Sequence, residues 1–283
     1  MLGVMHRGMI PPPGRGQHDT LVGGVRWRSR EVEGRGEPVV FVHGLLASSA
    51  TWQEVLGPAS AGHPAIAVDL PGFGCSDRPW PFDYTVEGAA HGLCDFLDAR
   101  GIGRAFLVGN SLGGAAAMLI AAEHPERVAA LVLVAPATSE APIVWPVLLL
   151  RAPRLGEIAL ALASRPLVAY GLRSWLFAGG ARVTDHAIDD AWFPLTIPGT
   201  RRAALAATRS NPRRYVGIET RIRVPTLIIW GREDRMLPVR EGERLAARIA
   251  GSRFVVVADA GHLPQREQPA AFSRAVAEFL SAR

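Results

Sequence analysis

Six short apolar runs recur along the chain, separated by stretches with helical patterning. Runs of this kind, rich in β-branched residues and nearly free of polar positions, are typical of parallel strands buried on both faces. The helical stretches include Val86–Arg100, which Gly101 is placed to end, and the alanine-rich Leu112–His124, which Pro125 closes. The pattern predicts an α/β fold with a mostly parallel, doubly wound sheet. The predicted strands are Val39–Val42, Ala65–Val68, Ala105–Val108, Ala130–Val134, Thr226–Trp230 and Arg253–Val257.

The N-terminal end and the middle of the chain depart from this rhythm. Residues 1–20 predict a loose leader, and Leu21–Arg30 with the turn at Gly34–Gly36 predicts an antiparallel edge hairpin. A later stretch is helical, apolar and interrupted by prolines, and it is too long for one ordinary crossover connection. We therefore predict a helical cap over 138–220. The cap interrupts an α/β core formed by 21–137 and 221–283.

Composition narrows the chemistry. The chain has 283 residues and a net charge of +5, and all 31 of its basic residues are arginine. Without lysine, it cannot form a lysine Schiff base or supply the lysine of a phosphate-binding loop. The arginines form no basic stripe with interleaved aromatic residues, so we expect no nucleic-acid partner.

Cysteine usage and hydropathy bear on the compartment. Cys75 and Cys94 can form at most one disulfide and stand in no metal or redox spacing, which fits a reducing cytoplasm. No run of about eighteen apolar residues occurs, so no membrane span is expected. The sequence leaves the oligomeric state open.

A nucleophile motif follows the third of the predicted strands. Gly109-Asn110-Ser111-Leu112-Gly113 matches G-x-S-x-G, and it leads from a strand into a helix, which is the context that the motif requires. A sharp turn there exposes the hydroxyl of Ser111 at the carboxyl end of the sheet. The N–H of Leu112, at the helix N-terminus, then points to where negative charge develops.

A serine hydroxyl needs a base, and the base needs an orienting carboxylate. His262 follows the last predicted strand and emerges at the same edge of the sheet as Ser111. Asp234 follows the preceding strand, with Glu233 as its rival. The order Ser111, Asp234, His262 is the expected nucleophile, acid, base order.

Further residues at this edge are candidates for the oxyanion and the substrate. After the first predicted strand, the N–H of Leu45 is the second oxyanion donor that we expect, and His43 anchors the loop. Ser48 contacts substrate or caps the following helix. The apolar cap residues, Trp145 and Trp175 among them, form either a lid for acyl or aromatic groups or the cap's own core.

Together these motifs resemble the α/β-hydrolase superfamily, in particular its enzymes with a helical cap after the sixth strand. The resemblance covers about residues 21–283. It implies a Ser–His–Asp hydrolase with no metal or organic cofactor. Relatives that open epoxides or displace halides carry aspartate at the elbow, so Ser111 argues against both activities. The motifs that carry the resemblance are His43-Gly44, Asp69-Leu70-Pro71-Gly72-Phe73-Gly74, the Ser111 turn, Gly231-Arg232-Glu233-Asp234 and Gly261-His262.

Three functions remain open. The first is hydrolysis of a small carboxylic ester or acyl substrate through an acyl-enzyme. The second is carbon–carbon bond hydrolysis of ring-cleavage diketones, because Asn110 before Ser111 resembles that family; Asn110 would then contact substrate. Leu263 departs from the tryptophan that usually follows the base there, and Arg173 or Arg182 would have to bind the substrate carboxylate. The third is a non-catalytic ligand-binding module.

Overall fold

Eight strands form one sheet in the computed structural model, which describes residues 10–179, 183–209 and 216–283. The strand order is β1-β2-β4-β3-β5-β6-β7-β8. β2 is antiparallel to both β1 and β4, and all the other pairs are parallel. The strands are β1 Gln17–Val22, β2 Val25–Val32, β3 Val39–Val42, β4 Ala65–Val68, β5 Ala105–Asn110, β6 Val128–Val134, β7 Thr226–Gly231 and β8 Arg253–Val257. The predicted fold class and the six predicted core strands are confirmed.

Helices cover both faces of this sheet. The α-helices are α1 Leu56–Ala59, α2 Val86–Ala99, α3 Leu112–Glu123, α4 Trp145–Arg151, α5 Leu155–Ala161, α6 Arg165–Gly171, α7 Asp185–Thr196, α8 Thr200–Arg209, α9 Val239–Arg248, α10 Pro264–Glu267 and α11 Pro269–Ser281. A π-helical turn, Leu172–Leu176, continues α6, and 3₁₀ turns lie at Ser49–Trp52, Pro125–Arg127 and Ile218–Arg221.

The two layers of the core follow from side-chain alternation along the strands. In β3, Val40 and Val42 face one layer, built from α2, α3 and α9. Val39 and Phe41 face the other, built from α1 and α11. All four side chains are fully buried, as expected for a strand with helices on both sides. A doubly wound sheet results, and its loops at the carboxyl edge remain available for a site.

The N-terminal hairpin corrects two expectations. β1 begins at Gln17, so the loose leader predicted for 1–20 ends earlier, and residues 1–9 lie outside the described part of the chain. The hairpin turn is at Gly23 and Gly24, not at Gly34–Gly36. Both turn residues have positive φ, 55° and 82°, which a type I′ hairpin turn requires and glycine permits.

Helices α4 to α8 lie between β6 and β7, within the range predicted for the cap, and we use the name cap for this segment between the two strands. Residues 180–182 and 210–215 of that range lie outside the described part of the chain. Among the described residues, no single helix is long and apolar enough to cross a membrane. α5 and the stretch Arg165–Leu176 reach the required length and hydropathy only together, across a bend of 114°.

Candidate active site

Ser111 occupies a strained turn between β5 and α3. Its φ of 51° and ψ of −117° lie where side-chain-bearing residues are rare, and such a conformation costs about 1–3 kcal/mol. The turn is held by its backbone, because the Ser111 N–H donates to the Val134 carbonyl and its carbonyl accepts from the Ala137 N–H, both at 3.0 Å. A Cβ on Gly109 would lie 2.5 Å from the carbonyl oxygen of Gly113. The tight turn therefore requires glycine at this position.

Asp234 and His262 meet across the loops that follow β7 and β8. His262 Nδ1 lies 2.8 Å from Asp234 Oδ2, and the Asp234 carboxylate is fully buried. The other carboxylate oxygen accepts the N–H groups of Met236 and Leu237, at 2.8 and 2.9 Å. Three hydrogen bonds thus hold the carboxylate in one orientation. With Nδ1 so engaged, Nε2 is the imidazole nitrogen left for proton transfer.

The backbone around His262 is held on every side. The His262 N–H donates to the carbonyl of Leu176 in the cap, at 2.8 Å. Its carbonyl accepts the side-chain amide of Asn110, at 3.3 Å. Glu233, the rival candidate for the orienting acid, instead accepts the N–H of Ala260 at 3.0 Å. The loop that carries the imidazole is therefore fixed by core and cap together.

Glu267 is a positioning residue that sequence reasoning missed. Its side chain is buried, with one oxygen 2.7 Å from the Gly261 N–H and the other 2.6 Å from the Ala178 N–H. One carboxylate therefore joins the residue before the imidazole to the cap. No local pattern signals this, because the two amides it bonds lie 6 and 89 positions away along the chain.

The predicted oxyanion donors flank Ser111. Leu112 is the first residue of α3, and Leu45 lies in the loop after β3. Within the described part of the chain, neither backbone N–H donates a hydrogen bond. A Cβ on Gly44 would come within 3.0 Å of the Ser111 Cβ, so glycine lets this loop approach the serine closely. Two such donors beside one hydroxyl are suited to bind a developing oxyanion.

His43 orients the Leu45 donor. Its ring is fully buried, with Nδ1 2.7 Å from the Gly44 carbonyl and Nε2 accepting the N–H of Leu70 at 3.0 Å. These partners define a neutral ring protonated at Nδ1. Because a trans peptide points its N–H away from its carbonyl, anchoring the Gly44 carbonyl aims the Leu45 N–H in the opposite direction. Burial lowers the pKa of His43, against the opposing charge of Asp69.

Ser111 and His262 line the same cavity, which lies between core and cap and has a volume of about 480 Å³. This size falls in the range of small-molecule sites. Its walls are mostly apolar, and the cap contributes much of them. The larger apolar side chains include Val147, Leu150, Leu172, Trp175 and Phe177. Among the described residues, no group of three or more histidine, cysteine or acidic side chains is arranged to hold a metal ion.

The residues predicted to contact substrate differ in whether they line the cavity. Trp175 and Ser48 line the cavity. The Ser48 hydroxyl also caps the 3₁₀ turn by accepting the Ala50 N–H. Trp145 is 56% exposed and packs edge-on against Trp175, so it lies outside the lining. Asn110 borders the cavity, but its amide donates to the carbonyls of Val134 and His262. Its contacts therefore hold the base loop.

Charged residues occur on the cavity wall, and sequence reasoning missed them. Arg266 from α10 and Asp190 from α7 form an ion pair at 3.0 Å, with side chains 10% and 16% exposed. Arg151, at the end of α4, also lines the cavity. Of the two arginines proposed from sequence, Arg173 is exposed and does not line it, and Arg182 lies outside the described residues.

Comparisons with known proteins agree with this architecture. A model of the alpha/beta hydrolase family matches residues 39–275. The chain is 33% identical over 276 residues to a 2-hydroxy-6-oxo-2,4-heptadienoate hydrolase of Pseudomonas putida, covering 93% of this chain and 95% of that one.

Solved structures of hydrolases are similar to this chain over most of its length. A meta-cleavage product hydrolase from Pseudomonas fluorescens has a TM-score of 0.81 at 26% identity, covering 94% and 97% of the two chains. A thermophilic esterase from Thermogutta terrifontis has a TM-score of 0.79 at 25% identity, covering 94% and 98%.

The buried neutral His43 predicts a pH dependence of stability. Its folded pKa is below the unfolded value of about 6.5, so the unfolded chain binds the extra proton and stability falls as pH drops below about 6.5. One such group contributes a slope of up to about 1.4 kcal/mol per pH unit. Between pH 7 and 5, the free energy of unfolding measured in urea should fall less steeply with decreasing pH for His43→Gln than for the wild type. The exposed-residue control His91→Gln should keep the wild-type slope, and equal slopes in all three proteins would contradict this account.

Glu267→Gln should slow the reaction of Ser111 with a fluorophosphonate probe. The amide nitrogen would face one of the two backbone N–H groups, so the imidazole loop would shift, and small displacements can cost up to about 100-fold in rate. We expect at least about a tenfold drop in the labelling rate, measured by intact mass spectrometry on folded protein. Glu243→Gln, on the exposed side of α9, is the matched control. Unchanged labelling of Glu267→Gln would remove Glu267 from the positioning residues.

Proposed function

The chain belongs to the alpha/beta hydrolase family, and from that premise we propose that it is a serine hydrolase of carboxylic esters with apolar acyl or alcohol groups. The observation that carries the proposal is the cavity itself. Ser111 and His262 share its wall with the oxyanion donors, and the remaining lining is mainly apolar. The facing charges of Arg266 and Asp190 compensate each other, which favours an uncharged substrate.

The proposed reaction uses only side chains and backbone groups of this chain. Ser111 Oγ attacks the ester carbonyl carbon while His262 Nε2 takes its proton, and the Asp234 carboxylate stabilises the imidazolium. The N–H groups of Leu45 and Leu112 bind the oxyanion. The imidazolium then protonates the leaving alcohol, and an acyl-enzyme forms. Water, deprotonated by His262, attacks the acyl-enzyme and releases the acid and the free Ser111 hydroxyl.

A second candidate is hydrolysis of a carbon–carbon bond in a dienoate that carries a carboxylate. The names of several relatives favour it, among them the Pseudomonas putida protein above. One structural observation also does, because two arginines, Arg151 and Arg266, line the cavity. A guanidinium group has the charge and geometry to bind a carboxylate, although Arg266 would have to exchange Asp190 for it.

The expected compartment remains part of the proposal. Both cysteines, Cys75 and Cys94, are free thiols, which suits a reducing cytoplasm. Burial raises the pKa of the Cys75 thiol to about 11, so this thiol stays protonated and unreactive at neutral pH.

The two candidate reactions are separated by comparing substrates. We expect kcat/KM for p-nitrophenyl butyrate to exceed that for 2-hydroxy-6-oxo-6-phenylhexa-2,4-dienoate by at least about tenfold. The cavity is mainly apolar and the charge of Arg266 is already paired with Asp190, so burial of a substrate carboxylate is penalised. Ser111→Ala should lower ester turnover by about 10⁴–10⁶-fold, as in other triad enzymes. Ser60→Ala, which removes a hydroxyl bonded to the Gly57 carbonyl, should leave turnover unchanged.

Each other outcome has a definite meaning. Faster cleavage of the dienoate than of the ester would replace the first proposal with the second. Inertness toward both substrates and toward a fluorophosphonate probe would indicate a ligand-binding module.

A further inference from the structure

Three consecutive short helices of the cap present large apolar side chains to solvent. Each of these side chains is between 50% and 70% exposed. We name this set the apolar cap surface; its residues are Trp145, Leu148, Leu155, Ile158, Leu162 and Leu167. Monomeric proteins rarely expose apolar residues in such concentration, and where they do, the patch usually serves binding.

The exposed apolar side chains recur at helical spacing, so they lie on one face of each helix. In α4, Trp145 and Leu148 stand three apart, and in α5, Leu155 and Ile158 do the same. Leu160, on the buried side of α5, faces the protein core. α5 thus has apolar residues on its inner and its outer face, whereas a helix facing only water carries polar residues outside.

The cap segment also carries most of the net positive charge of the sequence. The cap, residues 138–220, holds ten arginines against six carboxylates, and the rest of the chain holds twenty-one against twenty. Arg154, which immediately precedes α5, is exposed. Arg201 of α8 reaches the carbonyl of Ala161 at the end of α5. Cationic groups therefore lie beside the apolar side chains.

We propose that the apolar cap surface binds anionic phospholipid membranes. Large apolar side chains enter the boundary between headgroups and acyl chains, and each neighbouring arginine adds electrostatic attraction to anionic lipid. A second copy of the chain is a poorer occupant. A two-fold contact through this surface would place the same arginine-rich caps against each other.

The surface is continuous with the wall of the catalytic cavity. In α4, Trp145 and Leu148 point outward, while Pro146, Val147 and Leu150 line the cavity. One helix thus separates a bound membrane from the space beside Ser111. An apolar ester dissolved in the membrane would then need only a displacement of this helix to enter. This last step rests on the proposed function, whereas the membrane binding does not.

Vesicle co-sedimentation tests the proposal. Wild-type protein should bind phosphatidylglycerol vesicles and should bind phosphatidylcholine vesicles at least about tenfold more weakly. Its affinity for phosphatidylglycerol vesicles should fall in about 0.5 M salt, because screening at that ionic strength weakens electrostatic binding. The double variant Ile158→Glu, Leu162→Glu should bind phosphatidylglycerol at least about tenfold more weakly, since it removes two apolar anchors.

A matched control uses two exposed apolar residues away from the cap. Leu21→Glu with Val32→Glu, at side chains 68% and 41% exposed in β1 and β2, adds the same charge and should bind phosphatidylglycerol like the wild type. Hydrolysis of p-nitrophenyl acetate and the unfolding midpoint should be unchanged in both double variants, which shows that each is folded.

Two results would overturn the proposal. One is a wild type that does not bind phosphatidylglycerol vesicles, including the case of a dimer that the cap variant dissociates. The other is equal loss of binding in the cap variant and the control. Membrane binding without any ester turnover would leave this inference standing and remove the proposed function, and the reverse result would do the opposite.

Discussion

The hydrogen bond between His262 Nδ1 and Asp234 Oδ2 is the contact on which the rest of the site depends. At 2.8 Å and almost fully buried, it fixes which imidazole nitrogen remains for the serine. The Asp234 carboxylate can serve this purpose because the N–H groups of Met236 and Leu237 hold its other oxygen. Removal of this carboxylate would leave His262 in place but would no longer keep its proton on Nδ1, the tautomer that the reaction needs.

The cap is joined to this chemistry by hydrogen bonds as well as by its share of the cavity wall. The Leu176 carbonyl holds the backbone of His262, and Glu267 links Gly261 to Ala178. A movement of the Leu176–Ala178 segment would therefore displace the loop that carries the imidazole. Through these hydrogen bonds, a ligand bound to the cap would change the reactivity of Ser111.

Local patterns in the sequence predicted most of the core strands and the turn at Ser111. Buried runs such as Val39–Val42 identify strands, because a strand covered on both faces has no polar positions. The turn at Ser111 carries its own signature in the flanking glycines. Two features escaped prediction: the hairpin that pairs Gln17 with Arg30, whose turn is at Gly23 and Gly24, and the carboxylate bridge of Glu267, which depends on a contact 89 positions away. Trp145 and Trp175 look alike in sequence, and only the packing of the cap decides which one reaches the cavity.

The central claim is that Asp234 makes His262 competent to activate Ser111, and the rate of covalent labelling at Ser111 tests it most directly. A fluorophosphonate that modifies the wild type should modify Asp234→Asn about 10³–10⁴-fold more slowly, since the amide favours the wrong imidazole tautomer while leaving the geometry intact. The label should map to Ser111 by peptide mass spectrometry. Labelling of Asp234→Asn at the wild-type rate, or of a residue other than Ser111, would contradict the account.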